Sequence, residues 1–183
     1  MSTTTETPTT IAPAGIWQLD PIHSQIGFEV AYLSGTFKGQ FREFDGALVV
    51  DGDEATLEGS AKVASVDVKD ENLSAHLQSP DFFDAEQHPT IRFTASAISL
   101  EGEDVRVDGE LTIKGITQPA VVTGRVTAPV TDYTGRERVG LQLTTTVDRT
   151  AFGVSWNAPL PTGEPALANE VSIVAELFFV KAA

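Results

Sequence analysis

Most of the chain alternates apolar and polar residues with a period of two, which is typical of β-strands that bury one face. In IGFEVAYL, the residues Ile26, Phe28, Val30 and Tyr32 fall on one face of such a strand. Glycine, aspartate and proline separate the segments at short intervals, which predicts an antiparallel sandwich or barrel of about eight strands and disfavours an α/β fold. The other alternating segments are FREFDGALVVDG, ATLEGSAKV, TIRFTASAISLEG, DVRVDGELTIKG, AVVTGRVTAPV, VGLQLTTTV and EVSIVAELFF.

Two features favour a closed barrel over a sandwich. Gly59, Gly109 and Gly124 occupy inward-phase positions within strands, where glycine is typical of a sharp bend or a close approach. The apolar phase also slips, for example between Ala97 and Ile98, as it does at a β-bulge. Because many inward candidates are small, we expect a barrel of about eight strands whose interior holds a ligand and is not filled by side chains.

One long connection departs from the strand pattern. The segment SAHLQSPDFFDAEQHPTIRF, residues 74–93, carries two adjacent phenylalanines, several acids and two histidines. Asp70 is a suitable N-cap for a short helix, and Pro89 blocks its continuation. Within that helix Leu73, His76 and Leu77 share one face. At about 20 residues the connection is longer than most loops, so we expect it to have a function.

The charge and composition of the chain exclude several kinds of partner and site. At 183 residues, of which 41% are hydrophobic, the chain is long enough for one domain with a sizeable core. The net charge of −14 repels the phosphates of nucleic acids and anionic membrane surfaces, so no nucleic-acid partner is expected. Because cysteine is absent, disulfides, thiolate metal sites and a cysteine nucleophile are excluded.

The first residues differ in composition from the rest of the chain. MSTTTETPTTIAPAG is rich in threonine and lacks the basic and apolar regions of a secretory signal. We expect residues 1–14 to be a disordered tail and residues 15–183 to form a single domain. No apolar run reaches the roughly 18 residues that a spanning helix needs, so no membrane span is predicted. A cytoplasmic location is the expectation that follows.

Neither a metal site nor a catalytic site can be assembled from the motifs. His23, His76 and His88 are not spaced as helical metal ligands, and hydrogen bonds to backbone or carboxylate groups are the more common role of such histidines. GVSWN, residues 153–157, begins like the nucleophile elbow G-x-S-x-G but lacks its last glycine, and no helical pattern follows it. The prediction is a protein without enzymatic activity, metal or cofactor.

Five segments, taken in order and spacing, resemble the signature segments of the YceI-like family over about residues 16 to 180. They are WQLDPIHSQIGFEVAYLSGTFKGQFREFDGAL, HLQSPDFFDAEQHPTIRF, GELTIKGITQPAV, VDRTAFGV and NEVSIVAEL. The resemblance implies an extended, lipocalin-like barrel of eight antiparallel strands, with a short helical excursion and an elongated apolar pore. It also implies a long-chain isoprenoid or fatty amphiphile as the ligand, and a homodimer. Many relatives carry an export signal, and none is seen here.

The candidate ligand-binding residues combine an apolar lining with a few polar donors. A buried polar head group needs a partner, and the candidate donors at the mouth of the pore are His23, Ser24, His76 and Arg149. Each of the four could instead serve a turn or an ion pair. Phe82 and Phe83 are predicted to form a lid over the pore. The remaining aromatic candidates, each of which is also a suitable core residue, are Phe28, Tyr32, Phe37, Phe41, Phe93, Phe152 and Trp156.

Three functions remain open at this point. The first is non-enzymatic binding, sequestration or transport of a long-chain isoprenoid or similar lipid in the pore. The second is an enzyme that acts on a lipid-like substrate there, with His23 or Arg149 taking part. The third is a stress-related interaction module with a solid core. For the first, a tail of roughly 30 apolar carbons would gain about 24 kcal/mol before opposing terms, so the tail is expected to dominate binding.

Overall fold

The computed structural model describes residues 11–182, which form a β-barrel with one short α-helix. The strands are β1 (Gly15–Leu19), β2 (Gln25–Tyr32), β3 (Gly35–Phe41), β4 (Phe44–Asp51), β5 (Glu54–Lys62), β6 (Val66–Asp67), β7 (Thr90–Glu101), β8 (Asp104–Ile113), β9 (Ile116–Val126), β10 (Val130–Thr131), β11 (Glu137–Asp148) and β12 (Leu167–Lys181). Helix α1 spans Glu71–Gln78, and short 3-10 turns occupy Val63–Ser65 and Arg149–Phe152. No helix within residues 11–182 has the length and apolarity that crossing a membrane requires.

The barrel consists of eight antiparallel strands, and three of these strands are broken into two segments. Both β1 and β2 pair with β12, so together they form one interrupted strand. The second interrupted strand consists of β4, which pairs with β1, and β3, which pairs with β2. The third consists of β5, which pairs with β4, and β6, which pairs with β3. β7, β8, β9 and β11 follow in order, and pairing of β11 with β12 closes the ring. The predicted eight-stranded antiparallel barrel is confirmed.

A β-bulge in β7 accounts for part of the curvature that the sequence predicts. The pairing of β7 with β8 shifts between Ala95 and Ala97, so Ser96 is the extra residue. The apolar phase of the sequence slips beside it, between Ala97 and Ile98. On the facing strand, a Cβ atom at Gly109 would lie 2.5 Å from the carbonyl oxygen of Thr94, so a larger residue would force the strands apart. The bulge bends β7 and helps the sheet to close.

Side chains fill the interior at the lower end of the barrel, where β1 begins and β12 ends. Trp17 and Phe179 are fully buried there. Ile11 and Ala12 belong to the same core and are each 4% exposed. The indole Nε1 of Trp17 donates a hydrogen bond of 2.9 Å to the carbonyl oxygen of Pro13, which holds the segment in place. The packed part of the chain therefore begins earlier than the predicted boundary at residue 15, because Ile11 and Ala12 cover the end of the barrel; residues 1–10 lie outside the described residues.

A network of charged side chains joins the break between β1 and β2 to the turn before β11. The guanidinium of Arg138 donates to the carboxylate of Asp20, at 2.9 Å, and to that of Asp132. His23 Nδ1 lies 2.6 Å from the Asp20 carboxylate, and the backbone N–H of Ile22 donates to the same group. Burial by itself raises the pKa of Asp20, but these hydrogen bonds outweigh burial and lower the pKa to about 2.

This network predicts a pH-dependent contribution to stability. Because the pKa of Asp20 is lower in the folded chain than in the unfolded chain, its ionised form stabilises the fold above about pH 4. The contribution is lost as the pH falls towards 2. We expect Asp20→Asn to lower the free energy of unfolding at pH 7 by on the order of 2 kcal/mol, and by much less near pH 2. Denaturant unfolding of both proteins across this pH range measures the difference, and an equal loss at both ends would contradict the assignment.

Candidate functional site

Above the packed lower end, the barrel encloses a cavity of about 420 Å³. This volume lies within the range of about 300 to 1,000 Å³ that is usual for small-molecule pockets. The cavity begins at Leu19 and Phe179 and extends to Tyr32 and Phe37 at the upper end, where β2 ends and β12 begins. Trp17 lies below the cavity and is fully buried. The interior is therefore filled at one end and hollow along the rest of its length.

The lining positions on β12 indicate how long the cavity is. They run from Leu167 at the upper end to Phe179 at the lower end. At about 3.3 Å per residue and a strand tilt of about 40°, this stretch covers roughly 30 Å along the barrel axis. Tyr32, which lines the upper end, is 42% exposed, so the opening to solvent lies there. The cavity is a narrow channel that is blocked below and reaches exposed Tyr32 above.

The wall of the channel is apolar because the inward-facing positions of the alternating strands converge on it. Phe28 and Ile173, which pair across β2 and β12, are only half-buried because part of their surface faces the cavity. Other aliphatic lining residues, whether buried or half-buried, are Ile26, Val30, Leu57, Ala61, Ile91, Leu111, Ile113, Val122, Leu143, Val147, Val171, Ala175 and Leu177.

Two facing glycines leave part of the wall without side chains. Gly46 of β4 pairs with Gly59 of β5, and both line the cavity. A Cβ atom at Gly59 would meet only the carbonyl oxygen of Asp45, at an ordinary contact distance of 3.8 Å. No neighbouring group in the described part of the chain therefore lies close enough to require glycine at position 59, in contrast to position 109. Its missing side chain enlarges the channel.

Helix α1 covers the channel at the upper end. The Asp70 carboxylate accepts a hydrogen bond of 2.9 Å from the backbone N–H of Leu73, which confirms the predicted N-cap. Leu73, His76 and Leu77 all line the cavity, so the predicted shared face of the helix is the face that meets the channel. The helix ends at Gln78, and the chain then turns back across the barrel towards β7.

Phe82 and Phe83 follow the helix and make different contacts, although both line the cavity. Phe82 is 7% exposed and packs against the rings of His76 and Trp156, with centroid distances of 5.1 and 5.3 Å. Phe83 is half-buried and packs edge-on against Phe41 at 5.8 Å. Phe82 thus anchors the helical segment to the barrel, whereas Phe83 is the more accessible of the two over the channel.

The segment VDRTAFG forms a tight turn after β11. The Asp148 carboxylate accepts hydrogen bonds from the backbone N–H and the hydroxyl of Thr150, at 2.9 and 2.6 Å, and so begins the turn. Gly153 ends it with a φ of +74°, a left-handed conformation that favours glycine. Between them, Arg149 and Phe152 are buried and line the cavity. Asp148 and Gly153 thus fix the shape of the turn, and Arg149 and Phe152 between them contribute side chains to the site.

Arg149 is a buried cation in a largely apolar wall and is 6% exposed. Its Nε donates to the carbonyl oxygen of Ala168 at 2.9 Å, and its Nη1 donates to those of Val154 and Trp156 at 2.8 and 2.9 Å. Its Nη2 has no hydrogen-bond partner among the described residues. Burial lowers the pKa of Arg149, against the opposing effect of Asp148, but a guanidinium stays protonated in proteins.

Lys114, in the turn between β8 and β9, links the two segments that cover the upper end. Its Nζ donates to the carbonyl oxygen of Pro80 at 2.7 Å and to that of Gly153 at 3.3 Å. The segment after α1 and the turn after β11 are thereby held to the same point of the barrel. Nothing in the sequence distinguishes Lys114 from an ordinary exposed turn residue.

The structure places most of the predicted ligand-binding residues on the cavity wall, and His23 and Ser24 are the exceptions. His23 is exposed and contacts Asp20, and the Ser24 hydroxyl accepts a hydrogen bond of 2.9 Å from the backbone N–H of Phe178. Both residues shape the break between β1 and β2 and do not line the channel, contrary to expectation. The predicted residues that do line it are Phe28, Tyr32, Phe37, Phe41, His76, Phe82, Phe83, Phe93, Arg149, Phe152 and Trp156.

The aliphatic half of the lining is not among the residues that the sequence predicts to bind a ligand. Val171, Ile173 and Ala175 of β12 face the channel along much of its length. Their alternation is visible in EVSIVAELFF, but a period of two does not distinguish a cavity wall from a packed core. No local signal in the sequence identifies these residues as part of a site.

The polar groups around the channel have mostly structural partners. His76 Nε2 lies 3.1 Å from the carboxylate of Asp81. In GVSWN, Ser155 is exposed, and the Asn157 side chain bonds to the backbone N–H and carbonyl of Leu167. Residues 11–182 contain no group of three or more His, Cys, Asp or Glu side chains arranged to hold a metal ion. The site offers a long hydrocarbon surface and, at its upper end, the guanidinium of Arg149.

Comparison with known proteins gives matches along almost the whole barrel. The model of the YceI-like domain matches residues 17–179. A UPF0312 protein of Staphylococcus aureus strain USA300 is 32% identical over 167 residues, which cover 87% of this chain and 94% of the relative. A UPF0312 protein of Photorhabdus laumondii is 32% identical over 124 residues, and the match covers 66% of this chain and 65% of that protein.

Solved structures share the fold at lower sequence identity. BcnA of Burkholderia cenocepacia superposes with a TM-score of 0.76 at 24% identity, over 87% of this chain and 98% of BcnA. A domain from Saccharophagus degradans, described as polyisoprenoid-binding and implicated in plant cell wall breakdown, gives a TM-score of 0.70 at 14% identity, over 91% of this chain and 98% of the domain. These likenesses show that the barrel architecture is shared.

The different contacts of Phe82 and Phe83 predict different consequences of their removal. Phe82→Ala empties a buried position and should cost about 3 to 5 kcal/mol of the free energy of unfolding. Phe83→Ala should cost less, because the ring is half-buried, but should speed the release of a fluorescent fatty amphiphile, because the channel is less well covered. Denaturant unfolding and stopped-flow displacement measure the two effects.

Phe178→Ala is the matched control, since Phe178 is 42% exposed and does not line the cavity. It should leave the release rate unchanged. If Phe83→Ala destabilises the protein as much as Phe82→Ala does, while release stays as in the wild type, Phe83 belongs to the core and is not a cover.

Proposed function

The chain belongs to the YceI-like family, and we propose that it is a non-enzymatic protein that binds a long-chain isoprenoid or similar amphiphilic lipid in its channel, for sequestration or transport. The observation that carries this proposal is the apolar channel of about 420 Å³ inside a closed barrel. The related domain from Saccharophagus degradans, described as polyisoprenoid-binding, supports the same class of ligand. The solid-cored interaction module considered above has no support in a barrel with a hollow interior.

The length of the channel favours a long tail. A bilayer core of about 30 Å is spanned by two leaflets, so the acyl chain of one leaflet reaches only about half of the channel's roughly 30 Å. A short chain would leave the walls near Leu19 and Phe179 without contacts. A longer, isoprenoid-type tail reaches these residues and gains about 0.8 kcal/mol for each further methylene buried, less the cost of ordering it.

The polar groups of the channel support binding and not turnover. Arg149 donates to backbone carbonyl oxygens, and His76 is paired with the carboxylate of Asp81. Neither contact activates a nucleophile, which a catalytic assembly would require. Conversion of a bound lipid to a product, lost on replacing Arg149 or His76, would overturn this part of the proposal.

Mass spectrometry of an organic extract tests the proposal directly. The protein is purified without detergent from a bacterial host and extracted with chloroform and methanol. We expect a long-chain amphiphile in roughly stoichiometric amount. A bound tail removes its own apolar surface and that of the channel wall from water, which is favourable. Absence of any amphiphile from the extract, together with no binding of added polyprenyl lipids, would contradict the proposal.

Gly59→Phe tests whether the channel itself is the binding site. A Cβ atom at Gly59 meets no backbone atom closer than ordinary contact, so a phenyl ring there should occupy the channel and block lipid binding while the protein still folds. Thr56→Phe, on the exposed outer face of the same strand and not on the cavity wall, is the matched control and should bind lipid normally. Unchanged affinity in folded Gly59→Phe would place the lipid outside the channel.

A further inference from the structure

The Nη2 group of Arg149 is an unsatisfied donor on a side chain that lines the channel. It belongs to a residue that is 6% exposed, and it has no hydrogen-bond partner among the described residues. Buried donors without acceptors are uncommon in folded proteins, because each loses its bonds to water without replacement. The other guanidinium nitrogens, Nε and Nη1, have backbone acceptors, so the side chain cannot turn away without breaking those bonds. A hydrogen-bond acceptor on a ligand would give Nη2 the partner that it lacks.

Within residues 11–182, the guanidinium of Arg149 also forms no ion pair, and Asp148 acts on it only at longer range. No carboxylate of the described residues lies within ion-pair distance of its guanidinium, and the neighbouring Asp148 uses its carboxylate to cap the turn through Thr150. Arg138 shows the contrast, since it lies between the carboxylates of Asp20 and Asp132. A buried positive charge that contacts only neutral carbonyl oxygens is costly unless an anion accompanies it.

We propose that Arg149 binds the head group of the lipid, and that this head group is an acid carrying a single negative charge, such as a carboxylate. This inference rests on the proposed function. The head group lies beneath α1 and accepts hydrogen bonds from Nη2, and the tail extends down the channel towards Leu19 and Phe179. The lipid therefore enters with its tail first, through the upper end beside Tyr32.

The surroundings favour one negative charge over several. Arg149 supplies one positive charge, and the segment that covers the channel carries Asp81, Asp84 and Glu86. A diphosphate would bring more negative charge than one guanidinium neutralises, and it would lie close to these acids and within a chain of net charge −14. A neutral ester or alcohol, in turn, would leave the charge of Arg149 without a counterion.

Three amphiphiles with the same isoprenoid tail and different heads test the proposal. Phytanic acid, its methyl ester and phytanol are titrated into the delipidated wild-type protein at pH 7, and the affinities are compared by displacement of a fluorescent fatty probe. We expect the acid to bind about 10- to 100-fold more tightly than the ester or the alcohol, the usual effect of one hydrogen-bonded charge. Equal affinity of the three in the wild type would overturn the assignment of an acidic head, while lipid binding as such would stand.

Variants of Arg149 test whether this residue causes the preference for the acid over the ester. Arg149→Gln should bring the affinity of the acid close to that of the ester without weakening the ester, and Arg149→Lys should keep part of the preference. Arg125→Gln makes the same change on the exposed outer face of β9 and should leave the preference intact. An undiminished preference for the acid in Arg149→Gln would overturn the role of Arg149. Failure of all three amphiphiles to bind the wild type, with none in its extract, would overturn the proposed function and this inference together.

The wild-type comparison needs no variant, so the inference stays testable even if Arg149→Gln fails to fold. A thermal melt of each variant separates loss of the fold from loss of head-group recognition. A folded Arg149→Gln that loses affinity for the acid and ester alike would contradict head-group recognition, because it would show that Arg149 shapes the channel for any tail.

Discussion

Closure of an eight-stranded sheet fixes the width of the barrel, and the inward side chains fill that width at only one end. Trp17 and Phe179 pack the lower end, whereas Gly59, Ala61 and Ala175 face the middle of the interior with little or no side chain. Because the hydrogen-bonded ring cannot shrink around missing volume, the space persists as a channel. The function we propose depends on this mismatch between a fixed backbone radius and small side chains.

The two ends of the channel are built by different means, and this gives the site a direction. The lower end is a packed core, to which Ile11 and Ala12 contribute. The upper end is assembled from α1, the segment after it and the VDRTAFG turn, which Lys114 holds together. Apolar contacts along the channel are non-directional and tolerate many tails. The fixed hydrogen bonds of Arg149 set a geometric requirement only at the upper end.

The sequence predicts the barrel well because its strands alternate so regularly. It also predicts the capped helix after Asp70 and a phase slip between Ala97 and Ile98, next to the bulge at Ser96. It does not predict which inward residues face a void, since Trp17 and Phe28 carry the same signal and only the closed barrel shows that one is packed and the other borders the channel. His23 and Ser24 were expected at the mouth because a polar head group needs hydrogen-bond donors there. They lie instead at a break within one barrel strand, held by contacts to residues far away in the sequence, such as Arg138 and Phe178.

The central claim is that a hydrocarbon tail occupies the channel, and electron density inside the barrel tests it most directly. A crystal structure of the protein, purified without delipidation, is the measurement. Our account predicts continuous, tube-shaped density that starts beside Nη2 of Arg149, beneath α1, and runs down to Leu19 and Phe179. Side chains that collapse inward and close the space, or a channel holding only scattered water, would contradict it.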